Sequence, residues 1–290
     1  MGGDNSPDAT LRGAYLASKD LSKDETIVLV GDEKLAKSWF ISHDLDPSIF
    51  EFLHADEVIS MNEHATKALR KKPNNSISVG FNALKNKKID VFSSAGNSGA
   101  MLVGSMFSIG PIKGVIRPSI TSVLPKKNGG VGLILDVGVN ADCKPDVLFQ
   151  FAILGSLFAE NVYNIKKPKV GLLNIGEEKG KGNLLTQSAY RLLEDNDDIN
   201  FVGNVEGRDL FNEKADVIVC DGFTGNVVLK LAESFYSLIN QKNIKDDYFD
   251  RFNYEIYGGT PVLGVDGNVL IGHGISNENA IKNMILLGKD

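Results

Sequence analysis

The sequence predicts an α/β protein whose open, mostly parallel sheet carries helices on both faces. Short β-branched runs alternate with longer amphipathic stretches along the 290 residues, which is the pattern of strands alternating with helices. Several runs, such as those within Val131–Asp136 (VGLILD) and Asp216–Asp221 (DVIVCD), are continuously apolar, as is typical of parallel strands buried on both faces. The 30 glycines cluster after such runs, which predicts functional turns at the ends of the strands.

The elements follow in chain order from composition and spacing. Nine runs are predicted to be strands: Thr26–Val30, Phe50–Leu53, Ile89–Ser93, Ser119–Leu124, Gly132–Asp136, Lys169–Ile175, Asn200–Val205, Asp216–Cys220 and Asn268–Gly272. Seven amphipathic stretches are predicted to be helices: Asp32–Ser42, Ser76–Lys85, Ser98–Ile109, Asp146–Glu160, Asn183–Leu193, Gly225–Ile239 and Asn277–Leu287. Four apolar residues of Gly225–Ile239 have the spacing of one buried helix face: Val227, Leu231, Phe235 and Leu238.

One segment breaks the alternation of strands and helices. Gly110–Gly130 contains prolines, ends in Gly-Gly, and is followed by a second strand without an intervening helical pattern. This predicts an antiparallel excursion that serves as a clasp between lobes or subunits. The chain, residues 1–290, is predicted to be a single α/β catalytic unit, with two lobes and a clasp near residues 110–130 as the alternative.

Composition is that of a globular cytoplasmic protein. Hydrophobic residues make up 42% and charged residues 23% of the chain, which suffices for a sizeable core. A net charge of −6 argues against nucleic acid as the main partner. The two cysteines, Cys143 and Cys220, are too few for a disulfide framework. Neither an export signal nor an apolar run of about 18 residues is found, so a cytoplasmic location is predicted.

Glycine-rich turns follow four of the predicted strands: Ser94–Gly99, Val137–Asp142, Gly176–Gly182 and Asp221–Asn226. In an open α/β sheet, ligands bind at the carboxyl ends of the strands. Glycine lets the backbone approach a ligand closely, and the free N–H groups and dipole of a following helix attract an anion. The alternative is that these glycines serve tight turning alone. Since several turns share the pattern, we favour an anion site.

The turns have the wrong spacing for nucleotide binding. None is a Walker A loop or a G-x-G-x-x-G fingerprint, and the nearest phrase, GNSGAMLVGS, has a different glycine spacing. A small anion such as inorganic phosphate therefore suits these short turns better than a nucleotide. The residues predicted to bind phosphate or substrate all lie in the turns: Gly96, Asn97, Ser98, Gly99, Gly176, Glu177, Gly222, Thr224 and Gly225.

Several phrases occur in the order found in one bacterial family: MGGD (Met1–Asp4), SSAGNSGA (Ser93–Ala100), RPSI (Arg117–Ile120), LDVGVNADCKPDVLFQFA (Leu135–Ala152), GLLNIGEEKGKG (Gly171–Gly182), NFVGNVEGRDLF (Asn200–Phe211), DVIVCDGFTGNVVLK (Asp216–Lys230), YGG (Tyr257–Gly259) and HGISN (His273–Asn277). Over nearly its whole length the chain thus resembles the PlsX family of phosphate acyltransferases. The resemblance implies a fold like that of the phosphotransacetylases and the isocitrate and isopropylmalate dehydrogenases.

The resemblance also implies an activity and its partners. The reaction would convert a long-chain acyl–acyl carrier protein and inorganic phosphate into acyl phosphate and free carrier, for phospholipid synthesis. The enzyme would be a cytoplasmic homodimer attached peripherally to the membrane, and a glycerol-3-phosphate acyltransferase would act downstream.

The chain departs from the family pattern in a few places. Family members usually have a short hydrophobic strand ahead of the MGGD phrase, and Val139 and Ser98 stand where Ala and Thr are expected. Between Glu233 and Tyr257 the chain is shorter than expected, at the position of an amphipathic hairpin that resembles a membrane contact. Phe235, Tyr236, Leu238 and Ile239 are the remaining apolar residues of that region.

Phosphate attack on a thioester requires a bound phosphate, a stabilised oxyanion and a leaving thiolate, which positioning and electrostatics can supply. Lys181, in a glycine-rich turn, is predicted to neutralise phosphate or the oxyanion. A lysine nucleophile that forms an acyl-enzyme is an alternative, as is a solvated lysine paired with Glu177 or Glu178. Asn226 is predicted to donate to phosphate or to the thioester carbonyl, with helix capping as its alternative role.

Two further residues complete the predicted catalytic set. Asp221 ends a buried strand, where it would orient Lys181 or an asparagine side chain, or cap the next helix. His273, within HGISN, would protonate the leaving thiolate, and the alternative is a structural loop histidine. The four histidines are scattered, so no metal and no cofactor is predicted. Cys220 is predicted to be inert core, and Arg117 to serve the dimer clasp.

Acyl carrier protein is acidic, so its docking site is predicted to be locally basic. Four basic runs are candidates: Arg70–Lys72, Lys85 with Lys87 and Lys88, Lys126 with Lys127, and Lys166 and Lys167 with Lys169. The sequence does not choose among them.

Three other functions fit parts of the pattern. A phosphotransacetylase-type enzyme would use acyl-coenzyme A in place of the carrier protein. A decarboxylating dehydrogenase would need clustered aspartates on a metal and several arginines on its substrate, whereas the arginines here are few and dispersed. A non-catalytic scaffold that binds acyl carrier protein at the membrane would form no acyl phosphate.

Overall fold

The computed structural model describes residues 2–290, and within that range it contains ten strands: β1 (Val28–Gly31), β2 (Glu51–His54), β3 (Val91–Ser94), β4 (Ser119–Pro125), β5 (Val131–Leu135), β6 (Lys169–Leu173), β7 (Asn200–Val205), β8 (Val217–Val219), β9 (Thr260–Leu263) and β10 (Asn268–Ile271). All nine predicted strands are present. β9 was not predicted, because its four residues, Thr-Pro-Val-Leu, contain a proline and follow two glycines.

Eleven α-helices lie within residues 2–290: α1 (Asp8–Ser18), α2 (Glu33–Ser42), α3 (Ala65–Lys71), α4 (Ser76–Lys85), α5 (Ser98–Gly104), α6 (Pro145–Asn161), α7 (Leu184–Glu194), α8 (Gly222–Gln241), α9 (Asp247–Asp250), α10 (Tyr254–Tyr257) and α11 (Glu278–Lys289). The seven predicted helices are confirmed. The longest ones missed are α1 and α3. In this part of the chain, no helix combines the length and the apolarity needed to cross a bilayer.

The contacts divide the chain into two compact units. The first comprises Met1–Ile112 and Tyr254–Asp290. In it β1 pairs with β2 in parallel, and β10 pairs in parallel with β3 and antiparallel with β9. Because Ser94 is paired with Ile271 at the carboxyl ends of β3 and β10, the turns after these two strands lie at one edge.

The second unit, Lys113–Asn253, contains five neighbouring strands in the order β4-β5-β8-β6-β7. The pairs β5–β8, β8–β6 and β6–β7 are parallel, whereas β4 and β5 form an antiparallel hairpin. Leu133, Ile134, Val217 and Val219 are fully buried, which confirms that the VGLILD and DVIVCD runs are parallel strands covered on both faces. The clasp role of the segment near 110–130 stays a prediction.

The predicted buried face of α8 is wrong. Val227, Leu231, Phe235 and Leu238 are 49%, 56%, 58% and 52% exposed. The only buried residues of the helix are glycines of its first turn, Gly222 and Gly225, so α8 is anchored at its beginning while its apolar stripe faces outward. The spacing correctly predicted that the four residues share one face, but spacing does not determine what covers that face.

Candidate active site

In the first unit, the turn after β3 is held by Asn97, which is 5% exposed. Its Oδ1 accepts from the backbone N–H of Ala100 and caps α5, and its Nδ2 donates to the carbonyls of Ser60, Met61 and Glu63 at 3.0–3.2 Å. The side chain therefore joins the glycine turn to the segment that precedes α3. Its predicted role in binding phosphate stays a prediction.

Three of the family phrases meet at this edge of the first unit. The N–H of Asp4 donates to the carbonyl of Gly274 at 2.7 Å. Gly2 lies so close to Gly96 that a Cβ at Gly2 would be 2.8 Å from its Cα. The half-buried His273 has its ring edge-to-face with Tyr254 at 4.8 Å. The exposed Ser98 and Gly99 and His273 thus lie on the same edge of this unit.

In the second unit, a buried carboxylate that sequence reasoning missed organises the turns. Asp136 is fully buried at the end of β5, and it accepts from the N–H groups of Ile120 at 3.0 Å, Val139 at 3.2 Å and Asn140 at 2.6 Å. Burial raises the pKa of this carboxyl, while the hydrogen bond from the Asn140 N–H opposes the rise. The signal was an aspartate that closes a continuously apolar strand, where an unsatisfied charge would be costly.

Two glycines allow the turn after β8 to pack on Asp136. A Cβ at Gly225 would lie 1.9 Å from the carbonyl oxygen of Asp136, and one at Gly222 would lie 2.6 Å from its Oδ2. The N–H of Gly222 also donates to the carbonyl of Asn140 at 2.8 Å. The turns after β5 and β8 are therefore locked together, and these glycines are needed for close approach.

Asn226 and Asp221 have different settings in the turn after β8. Asn226 is exposed and lies beside Gly138, where a Cβ would be 3.3 Å from its Oδ1. Asp221 caps α8, since its carboxylate accepts from both the N–H and the hydroxyl of Thr224, at 2.8 and 3.0 Å. This is the capping role weighed for Asp221. The structure leaves the Asn226 side chain at the surface.

Lys181 is exposed on the glycine-rich turn after β6. Asn174 Nδ2 donates to its carbonyl at 3.1 Å, which fixes the backbone of the turn, and a Cβ at Gly176 would lie 3.0 Å from its Cγ. Glu177 pairs with Lys214 at 2.8 Å and with Arg208 at 3.6 Å rather than with Lys181. Within residues 2–290 the Lys181 ammonium has no ion pair, so it is available to an anion.

An acidic group lies beside this turn. Carboxylate oxygens of Glu177, Glu206 and Asp209 come within 4.8 Å of one another. Lys214 bonds to both Glu177 and Asp209, at 2.8 and 3.1 Å, and it lowers the pKa of Glu177. The cluster is therefore balanced by basic side chains and behaves as an ion-pair network.

The second unit thus aligns three glycine-rich turns along one sheet edge. They follow β5, β8 and β6, which are neighbours in that order, and strands in a sheet are about 4.8 Å apart. Of the predicted residues, this edge brings together Gly176, Glu177, Lys181, Asp221, Gly222, Thr224, Gly225 and Asn226. It offers backbone N–H groups at a helix start, an exposed amide and an unpaired ammonium, which are the groups that bind a phosphate.

Cys143 lies beside this edge and gives a direct test of its electrostatics. Its Sγ is 3.5 Å from the carbonyl of Asn140, and burial, reinforced by the charges of Asp136 and Asp221, raises its pKa to about 11. Alkylation by iodoacetamide should therefore rise roughly tenfold per pH unit between pH 8 and 10, because only the thiolate reacts. Peptide mass spectrometry separates Cys143 from the buried Cys220. A rate that levels off above about pH 9, as expected for the urea-unfolded control with an ordinary thiol pKa of about 8.5, would contradict this assignment.

The fold is like that of solved phosphotransacetylases. The structure matches the EutD phosphotransacetylase from Staphylococcus aureus with a TM-score of 0.64 at 14% identity, covering 96% of this chain and 92% of that one. A phosphotransacetylase from Streptococcus pyogenes gives a TM-score of 0.66 at 14% identity, with 96% and 89% covered. These likenesses confirm the predicted mostly parallel α/β fold of the phosphotransacetylase type.

Sequence comparisons identify the family. Residues 1–242 match the family model described as "Fatty acid synthesis protein". Phosphate acyltransferases of Dictyoglomus thermophilum and Halothermothrix orenii are 42% and 44% identical to the chain, over 100% of its length and 91% and 92% of theirs. That of Acetivibrio thermocellus is 45% identical, with 99% and 89% covered. The chain belongs to the PlsX family of phosphate acyltransferases, which are transferases acting on acyl groups.

Proposed function

We propose that this protein transfers a long-chain acyl group from acyl carrier protein to inorganic phosphate, giving acyl phosphate and free carrier. The observation that carries the proposal is the alignment of three glycine-rich turns on one sheet edge, with the exposed Lys181 and Asn226 on two of them. The family membership and the phosphate acyltransferase relatives support the same reaction.

In the proposed reaction, phosphate is itself the nucleophile. One of its oxygens attacks the thioester carbonyl carbon, the C–O bond forms, and the tetrahedral intermediate collapses with cleavage of the C–S bond. The departing sulfur leaves as a thiolate and takes a proton. Lys181 offers a positive charge to phosphate or the oxyanion, and Asn226 offers an N–H donor. Protonation of the thiolate by His273 stays a prediction. The other steps described above use only residues of the second unit.

The cellular setting follows from the same proposal. Acyl phosphate is a mixed anhydride and therefore an acyl donor, so a glycerol-3-phosphate acyltransferase of phospholipid synthesis would consume it. We propose a cytoplasmic homodimer attached peripherally to the membrane. Exposed apolar side chains on α8, such as Phe223, Leu231 and Phe235 at 68%, 56% and 58%, support attachment to a lipid surface.

The test is incubation with acyl–acyl carrier protein, following thiol release with and without phosphate and trapping the product with hydroxylamine. The proposal predicts phosphate-dependent release and an equal amount of acyl hydroxamate. A faster reaction with acyl-coenzyme A would favour the phosphotransacetylase alternative, which the structural likenesses suggest by fold alone. Phosphate-independent release, or no hydroxamate at all, would contradict the proposal.

A further inference from the structure

A basic helix adjoins the glycine turn of the first unit. Asn97, inside that turn, bonds to three carbonyls of the segment that leads into α3. The first residue of the helix, Ala65, lies against Gly99, where a Cβ would be 3.3 Å from the Ala65 Cβ. Helix α3 therefore begins at the carboxyl edge of β3. Hydrogen bonds and close packing hold it against a turn that is predicted to bind substrate.

Three cations of α3 are unpaired and exposed. Lys67, Arg70 and Lys71 have the i, i+3 and i, i+4 spacing that places side chains on neighbouring positions of one helix face. All three are exposed, and within residues 2–290 none of their side chains has a hydrogen bond or an ion pair. Lys72, by contrast, pairs with Glu63 at 2.7 Å. In a chain with a net charge of −6, this face is a local positive patch, here called the α3 basic face.

The other three basic runs lie where parallel strands begin, whereas the glycine turns lie where those strands end. Lys85–Lys88 precedes β3, whereas the glycine turn follows it. Lys166–Lys169 leads into β6, whose carboxyl end carries the Lys181 turn. Since a strand extends about 3.3 Å per residue, each of these two basic runs is at least the full length of its strand away from the glycine turn.

The run at Lys126 is unsuitable for a second reason. Lys126 is 5% exposed and its ammonium is paired with Asp216, which directly precedes β8. Its charge is therefore neutralised inside the protein, at the amino end of a strand whose carboxyl end carries Asp221. Of the four basic runs, the one on α3 is the run that adjoins a carboxyl-edge turn within its own unit.

We propose that the α3 basic face, formed by Lys67, Arg70 and Lys71, docks the acidic carrier protein that delivers the acyl thioester. This inference rests on the proposed function, since it identifies the surface that receives the proposed substrate. Charge complementarity at an exposed rim acts mainly on the association rate and its salt dependence. The face would thus set the affinity for the carrier and leave the bond-making step unchanged.

The test compares charge-altered pairs in the full chain. Lys67→Glu/Arg70→Glu is expected to raise the Kd for fluorescently labelled acyl carrier protein, and the KM for acyl–acyl carrier protein, by about tenfold. The kcat and the KM for phosphate should not change. The Lys67→Gln/Arg70→Gln variant avoids placing an acidic residue near the carboxyl end of α3, where negative charge is unfavourable to the helix. It should give a smaller rise in the same direction. Lys85→Glu/Lys88→Glu, with the same i, i+3 spacing, is the matched control and should behave as wild type.

The outcomes separate the two proposals. Wild-type Kd and KM in both α3 variants would overturn the docking assignment while thiol release continues. A rise in the Lys85/Lys88 control equal to that in the α3 variant would also overturn it, since the effect would then be one of net charge. If the carrier binds and the α3 variants weaken binding, but no phosphate-dependent thiol release occurs, the docking surface stands and the proposed function fails.

Discussion

Replacing Lys181 with alanine is expected to lower kcat about 100- to 1,000-fold, the usual effect of removing one preorganised group that stabilises developing charge. The ammonium is exposed on the turn after β6 and is unpaired within residues 2–290. Because asparagine and glutamine side chains hold the backbone of the turn, loss of the lysine side chain should leave the fold intact. Steady-state thiol release with saturating phosphate measures the effect.

Two matched variants make the Lys181 result specific. Lys179→Ala removes a lysine of the same turn that is paired with Glu194, and it should retain activity within about twofold, because exposed ion pairs contribute little. Lys181→Arg keeps the charge and should recover part of the activity if neutralisation is the role. Full activity of Lys181→Ala would remove this residue from the mechanism.

Gly225→Ala is expected to reduce the free energy of unfolding by at least about 3 kcal/mol, at the upper end of what overpacking costs. A Cβ there would come within 1.9 Å of the carbonyl oxygen of Asp136, and this backbone is held by three N–H donors to the Asp136 carboxylate. Neither side can yield without disturbing the turns after β5 and β8. Urea denaturation followed by circular dichroism measures the change.

The control for Gly225 is a glycine of another turn with free space around it. A Cβ at Gly180 would have no heavy atom within 4 Å, so Gly180→Ala should change stability by no more than about 0.5 kcal/mol. If Gly225→Ala were as stable as wild type, the two turns would not be locked on Asp136, and this description of the edge would be wrong.

Local sequence patterns predicted most of the strands and helices. All nine predicted strands form where β-branched and apolar residues cluster, several of them in continuous runs such as VGLILD and DVIVCD. The Asn183 and Asn277 caps mark helix starts that the sequence already indicates. Helix α3 was missed because it has only seven residues, most of which are polar. The outward face of α8 was missed because the period of a pattern carries no information about its partner.

The candidate edge was predictable in outline only. Glycine clusters after strands indicated the turns that hold Lys181 and Asn226. Asp136 was not singled out, because its importance lies in three backbone donors, one from β4 and two from the turn after β5, and such a convergence exists only after folding. The hydrogen bonds from Asn97 to the segment before α3 also join residues far apart in the sequence. The choice among the basic runs therefore required the tertiary structure as well.

The most direct measurement of the central claim is thiol release from acyl–acyl carrier protein in a single turnover, first without phosphate and then with it. If the turns seat inorganic phosphate as the attacking group, no thiol should appear above the uncatalysed rate until phosphate is added. A rapid burst approaching one thiol per chain before that addition, with the acyl group recovered on Lys181, would contradict direct attack.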